Sequence, residues 1–243
     1  MNQIACVVLP TYNEAENVKV TIPSILEQAS KIPTHELHVV VVDDNSPDGT
    51  AAVIRAFMDT FPNVHLLTGE KKGLGEAYKR GMTYSLNQLH ADVVFEMDAD
   101  LQHDPTLLPL FAALANYGFS LVIGSRFICG GSTPKFPLYR RFISLLGTLL
   151  VCTFGGLPEL TDCTSGYRCI KADVLAKCDL TGLASRGYSF QSSLLSELIR
   201  NGARVIEVPI RFPERSRGKS KLGFRDQIEF LVNLFRLRRN RMA

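Results

Sequence analysis

Apolar positions along the 243-residue chain follow two periods. Short, β-branched runs at residues 4–9, 37–42, 64–67, 92–97 and 120–123 are bounded by turn-forming residues and read as strands. Between them lie longer stretches with apolar residues three and four apart, the spacing of a helix that buries one stripe. Strand and helix in alternation, with the unbroken Val39-Val40-Val41-Val42, predict an α/β fold built on a mostly parallel twisted sheet flanked by helices on both faces. The second half is less regular, with helices predicted over 138–154, 190–201 and 222–238 and a strand near 204–211. No internal repeat, low-complexity tract or linker divides the sequence, so one domain spanning 1–243 is expected. In such sheets ligands bind beyond the carboxyl ends of the strands, so the residues that follow each strand should carry the chemistry.

Composition narrows the classes. A chain of this length buries roughly 70–75% of its unfolded surface and needs no disulfide or structural metal to hold a core. Its 27 basic and 24 acidic residues leave a net charge of +3, which argues against a nucleic-acid partner unless basic residues cluster, as they do toward the C-terminus. The six cysteines lack zinc or C-x-x-C redox spacing and suit buried thiols in a reducing compartment. Met1-Asn2-Gln3 leads directly into an apolar run without the regions of a signal peptide. The longest apolar stretch, 142–154, is interrupted by Ser144, Gly147, Thr148 and Thr153 and is too short to span a bilayer. A cytoplasmic protein is expected.

Three polar segments follow the predicted strands. Asp98 and Asp100, two residues apart at a strand end, can aim their oxygens to one side, as a hard Mg²⁺ or Mn²⁺ ion requires. The bland alternative, capping the next helix, is already served by Asp104-Pro105. In Asp43-Asp44-Asn45-Ser46-Pro47-Asp48-Gly49-Thr50, residues 47–49 read as turn chemistry. Asp43 and Asp44 end a buried strand, where a carboxylate can accept from a base or ribose, and Asp44 is the better candidate.

Other patterns are weaker. Gly73-Leu74-Gly75 opens a helix, but Tyr78 stands where a dinucleotide fingerprint needs its third glycine. Gly218-Lys219-Ser220 lacks the leading glycine of a P-loop, and the histidines of His35-Glu36-Leu37-His38 lack zinc-protease spacing and read as surface loop. Arg211, Arg215, Arg217, Lys219 and Lys221 describe either a mobile loop that closes over a polyphosphate or a solvated basic loop. Arg140, Arg141 and Ser144 lie at the start of an apolar helix and can hold an anionic headgroup beside an apolar face, or simply begin a core helix. Residues 222–243 form a basic amphipathic pattern suited to an anionic membrane surface or to docking on the domain.

Taken in order, Leu9-Pro10-Thr11-Tyr12-Asn13-Glu14, the Asp43–Thr50 turn, Gly73-Leu74-Gly75, Met97-Asp98-Ala99-Asp100, Gly124-Ser125-Arg126-Phe127, Thr164-Ser165-Gly166-Tyr167-Arg168 and Ser220-Lys221-Leu222 resemble the family 2 glycosyltransferases of GT-A fold. Within that family the chain is similar to the dolichol- and polyprenol-phosphate mannose synthases, over nearly its whole length. The resemblance implies that Pro10, Tyr12, Glu14, Val42 and Asp44 line a nucleotide pocket. It implies that Asp98, Ala99, Asp100 and Gln102 surround a divalent metal, Mg²⁺ or Mn²⁺, and the sugar diphosphate, with Asp98, Asp100 and Gln102 as ligands. Arg126, Arg140 and Ser144 would hold the lipid phosphate, while Arg215 and Lys221 on the 213–221 loop would reach the donor phosphates. Arg217 and Lys219 make that loop more basic than is expected of the eukaryotic members.

The implied reaction is single displacement with inversion, moving mannose from GDP-mannose to dolichyl or polyprenyl phosphate. A phosphate monoester is already anionic at neutral pH, so no general base is required and His103 is read as a bystander. The alternatives are a UDP-glucose or UDP-N-acetylglucosamine donor, or a nucleotide-sugar-binding subunit without catalysis. The enzyme is expected to be peripheral on the cytosolic face of a membrane, held directly or through membrane subunits.

Overall fold

The computed structural model describes residues 3–135, 137–157, 160–183 and 187–214, together with Val232 and Leu234. The chain runs β1 (Gln3–Thr11), α1 (Ala15–Leu26), β2 (His35–Asp43), α2 (Thr50–Met58), β3 (Val64–Thr68), α3 (Leu74–Asn87), β4 (Val93–Glu96), α4 (Leu108–Tyr117), β5 (Leu121–Ser125), α5 (Leu138–Gly155), β6 (Arg168–Lys171), the single turn α6 (Ala172–Leu175), α7 (Gly187–Arg200) and β7 (Val205–Pro209).

Seven strands form one sheet in the order β3-β2-β1-β4-β6-β5-β7. The strands are parallel except β6, which pairs antiparallel with both β4 and β5. Successive side chains on a strand point to opposite faces, and here both faces are covered, which explains the continuous valine run. Val39 and Val41 face one core layer, which also holds Val18 and Ile22 of α1, Ile54 of α2 and Phe111 of α4. Val40 and Val42 face the other core layer, which also holds Tyr78 and Met82 of α3 and Phe190, Leu194 and Leu198 of α7. Helix α3 comes so close to β1 that a Cβ on Gly81 would lie 2.3 Å from Val8 Cγ1. Among the described residues no helix is long and apolar enough to cross a membrane.

Two sequence expectations are corrected. His35 and His38 lie in β2, with His35 only 4% exposed, because the strand begins earlier than its apolar run. The expected inventory of strands also omits β6. Only four residues long and opened by an arginine, β6 has no hydrophobic signature of its own. Its arginine is buried because Arg168 stands directly opposite Glu96 of β4, with Nε 3.8 Å from the carboxylate and both side chains fully buried. Arg168 also donates to the Gln191 and Cys163 carbonyls, each at 2.9 Å. Helices α5 and α7 and strand β7 appear where expected; the helix expected over 222–238 lies outside the described residues apart from Val232 and Leu234.

Candidate active site

Strand order reverses between β1 and β4, so the loops after these strands diverge and open a crevice at the sheet's carboxyl edge. After β1 the chain turns at Asn13 (φ 57°) and after β2 at Asn45 (φ 52°), a left-handed conformation that asparagine tolerates. These turns leave Tyr12 and Asp44 at the strand ends. The two loops are laced together: Asn13 N–H donates to Ser46 Oγ at 2.9 Å, Glu14 N–H to Thr50 Oγ1 at 3.1 Å, and Ala15 N–H to Asp48 Oδ2 at 3.1 Å. Asp48 thus ties off the start of α1 as well as shaping its own turn. Asp43, fully buried, accepts from Thr11 Oγ1 at 2.9 Å and from the Ser46 N–H and hydroxyl at 2.9 and 2.6 Å, so it serves as the knot of the loop. Asp44 is paired instead with Arg80 of α3. Burial raises the Asp44 carboxyl above its usual range, opposed by the Arg80 guanidinium. Lys71 Nζ lies 3.4 Å from the centroid of the Tyr12 ring. Val42 is fully buried beneath α3, so its side chain supports this pocket from below.

After β4 the backbone is held in a tight path. Asp98 N–H donates to His103 Nδ1 at 3.0 Å, and Gln102 N–H donates to Asp100 Oδ1 at 3.1 Å. Between them Leu101 has φ 66°, a strained value for a γ-branched residue, held in place by these bonds. The Asp98 carboxylate accepts from the hydroxyl of fully buried Tyr78 at 3.0 Å, and Tyr78 stacks on Phe190 with centroids 5.7 Å apart. Burial and the neighbouring carboxylates push the Tyr78 hydroxyl well above its ordinary pKa, so it remains a donor. The Ala99 carbonyl accepts from Thr21 Oγ1 at 3.2 Å. Gln102 Nε2 donates to the Pro213 carbonyl at 2.6 Å, tying the start of the 213–221 segment to the carboxylate pair. His103 stacks on Tyr167 at 4.7 Å and, with Nδ1 accepting a backbone bond, acts as a brace for the loop. Asp104 caps the following turn by accepting from Thr106 N–H, as the sequence predicts, so Asp98 and Asp100 are not needed as caps.

Asp98 and Asp100 are hard oxygen donors, and among the described residues no third His, Cys, Asp or Glu joins them in a metal-binding group. Two carboxylates fit Mg²⁺ or Mn²⁺ that completes its shell with substrate phosphates and water.

On the far side of β4, Arg126 follows β5. Its Nε and Nη2 form a two-pronged bond with the Asp162 carboxylate, both at 2.7 Å, and Nη2 also donates to Thr164 Oγ1 at 2.8 Å. Asp162 is itself placed by Glu207 of β7, whose carboxylate accepts from the Thr161 and Asp162 N–H groups at 2.8 and 2.9 Å. Ser144 is buried on the same face of α5 as Thr148, whose Oγ1 accepts the Cys163 N–H at 3.2 Å. That face therefore lies against the segment that carries Asp162.

Residues 6–178 match the description of glycosyl transferase family 2. The chain belongs to that family. It is 41% identical over 232 residues to the undecaprenyl-phosphate mannosyltransferase of Micrococcus luteus, covering 94% of this chain and 91% of the relative. It is 37% identical over 222 residues to the polyprenol monophosphomannose synthase of Mycolicibacterium smegmatis, covering 90% and 81%. Among solved structures it is similar to a mannosyltransferase from Pyrobaculum calidifontis in complex with GDP-Man and Mn²⁺, with a TM-score of 0.62 and 20% identity over 97% of this chain and 65% of that one. The fold is the GT-A fold expected from the sequence.

In this glycosyltransferase the structure brings Pro10, Tyr12, Glu14, Asp44, Asp98, Ala99, Asp100 and Gln102 to one edge of the sheet, since each follows or ends β1, β2 or β4. Arg126 and Ser144 lie beyond β4 on the β5 side. Arg215, Lys221 and the side chain of Arg140 lie outside the described residues. Sequence reasoning passes over Tyr78, Arg80 and Asp162, because each meets its partner 20 to 36 positions away, a separation no local motif reports.

Proposed function

We propose that this enzyme transfers mannose from GDP-mannose to a polyprenyl or dolichyl phosphate, with inversion at the anomeric carbon, to give a β-linked lipid-phosphate sugar. The observation that carries the reading is the meeting of Asp98 and Asp100 with Asp44 and Tyr12 at the β1/β4 crevice of a chain so similar to two polyprenol-phosphate mannosyltransferases.

The acceptor phosphate, with a second pKa near ~6, is a dianion for most of its population at pH 7. Its oxygen attacks the anomeric carbon while the bond from that carbon to the donor's diphosphate oxygen breaks, and GDP departs with the electron pair. No proton has to be removed, consistent with a site whose one nearby imidazole braces a loop. Asp98 and Asp100, with Gln102 beside them, would hold a divalent metal, which when bound would supply positive charge against the departing diphosphate. Tyr78 fixes the orientation of Asp98 by its hydrogen bond. Pro10, Tyr12, Glu14 and Asp44, with Val42 beneath, seat the nucleoside. Arg126, held in place by Asp162, would be the contact for the acceptor phosphate, with Ser144 and Arg140 of α5 as the further contacts of that subsite. Arg215 and Lys221 would reach the donor phosphates from the segment that Gln102 anchors at Pro213.

An acceptor with an isoprenoid tail requires contact with a bilayer. Helix α5 exposes Leu138, Tyr139, Phe142, Leu146 and Leu149 beside Arg141, a basic-ended apolar face suited to the membrane interface. Peripheral attachment to the cytosolic leaflet follows from this reading, and flotation with anionic liposomes should be lost in Phe142→Asp.

The decisive experiment is transfer of labelled sugar from GDP-mannose, UDP-glucose and UDP-N-acetylglucosamine to polyprenyl phosphate, with Mn²⁺, Mg²⁺ or EDTA. Metal-dependent transfer from GDP-mannose that Asp100→Ala abolishes is expected. Transfer from a UDP-sugar would overturn the donor assignment, and normal turnover of Asp100→Ala would overturn the site.

A further inference from the structure

Asp44, at the end of β2, does not stand alone in the nucleoside pocket. Arg80, reaching across from α3, donates through Nη2 to Asp44 Oδ1, and Arg80 is the one hydrogen-bond partner of that carboxylate among the described residues. The Asp44 side chain is 8% exposed and that of Arg80 31%, so the carboxylate is nearly buried while the Arg80 side chain is partly open to solvent. The slot for that guanidinium is provided by Gly69, just beyond β3, where a Cβ would lie 1.7 Å from Arg80 Nη1. The Asp44 backbone is fixed as well, its N–H donating to the Thr11 carbonyl at 3.1 Å.

A guanidinium carries five N–H donors and no acceptor, and a carboxylate has four lone-pair sites and no donor. Side by side, Arg80 and Asp44 therefore offer a donor followed by two acceptors. Guanine's polar edge carries the complement: the O6 acceptor, then the N1–H and N2–H donors. Uracil carries acceptor, donor, acceptor, so one carbonyl would face a carboxylate oxygen. We propose that Arg80 is a specificity-determining residue that reads the guanine O6 of the donor while Asp44 accepts from N1–H and N2–H. This rests on the GDP-mannose reading above and adds to it the residue that selects the base.

The test is isothermal titration calorimetry, with Mn²⁺, of four nucleotides: GDP, 6-thio-GDP, which weakens the acceptor at position 6, IDP, which lacks only the 2-amino group, and UDP. Wild type should favour GDP over 6-thio-GDP by about tenfold, the scale of a hydrogen bond to a charged group, and should also favour GDP over IDP. In Arg80→Met the first preference should fall to about one while the second persists; Arg80→Lys, which keeps a donor, should recover part of the first. Gly69→Ala, which displaces the guanidinium without removing it, should behave as Arg80→Met does. An unchanged GDP to 6-thio-GDP ratio in Arg80→Met overturns the inference and leaves the donor reading intact. Loss of the GDP to IDP preference alone also overturns it, since Arg80 would then only position Asp44. A wild type that binds UDP more tightly than GDP refutes the donor reading and this inference together.

Discussion

The coupling of Arg126 to Asp162 is the strongest single electrostatic commitment near the acceptor side, and its size can be worked from the geometry. Two 2.7 Å bonds join side chains that are 6% and 0% exposed, so solvent screens them little. Asp162→Ala removes the carboxylate but leaves the guanidinium inside, and breaking a buried pair in this way costs about 3–5 kcal/mol. For a chain of this size each kcal/mol lowers Tm by about 2–4 °C, so a fall of roughly 6–20 °C is expected. The larger loss belongs to the stranded charge, not to the pair itself. Arg126→Met combined with Asp162→Ala should therefore recover much of the stability, giving a coupling energy of at least about 2 kcal/mol in a double-mutant cycle. Urea denaturation of the four proteins measures this, and lipid-phosphate transfer measured alongside should fall in every variant, including the stable double one. A cost for Asp162→Ala below about 1 kcal/mol, or a coupling within about 0.5 kcal/mol of zero, would refute the reasoning.

Three further outcomes are expected. Tyr78→Phe keeps the stacking on Phe190 but leaves Asp98 without its hydroxyl donor, so the Mn²⁺ concentration for half-maximal activity should rise about tenfold or more; an unchanged metal titration would remove Tyr78 from the site. Burial, aided by the His38 charge, depresses the His65 pKa, so below its unfolded value near ~6.5 the unfolded chain binds more protons and stability is lost as pH falls. Burial pushes Glu96 up to about 7, which acts with the opposite sign between its unfolded and folded values, so the test is the difference between wild type and His65→Gln in urea at pH 7.5 and 5.5: the variant should lose less stability on acidification, and equal losses would exclude His65 as a source. Alkylation of the folded protein should mark the exposed Cys129 first, because burial raises the thiols of Cys6 to about 12 and Cys178 to about 11; rapid labelling at Cys6 would contradict the packing of β1.

Much of the architecture is legible because it rests on local physics. The valine run of β2 specifies a strand covered on both faces, and the strand-end loops announce themselves through Asn13, Asn45 and the carboxylates they present. Reading Asp104-Pro105 as the cap separates Asp98 and Asp100 from a merely local role. The same physics misleads where a strand is short and its burial depends on a distant partner. Arg168 looks like the end of a polar loop until Glu96 stands opposite it, and His35 looks exposed until β1 pairs alongside.

What the sequence by itself determined was the α/β alternation, the parallel half of the sheet and the family motifs at its carboxyl edge, since period, turn chemistry and strand ends are properties of neighbouring residues. What only the tertiary structure decided was which charges face each other: Arg80 with Asp44, Arg126 with Asp162, Tyr78 with Asp98, and the antiparallel β6 beside β4. A buried charge or hydroxyl is tolerable only with a partner of suitable geometry, and that partner is chosen by the packing of elements far apart in the chain.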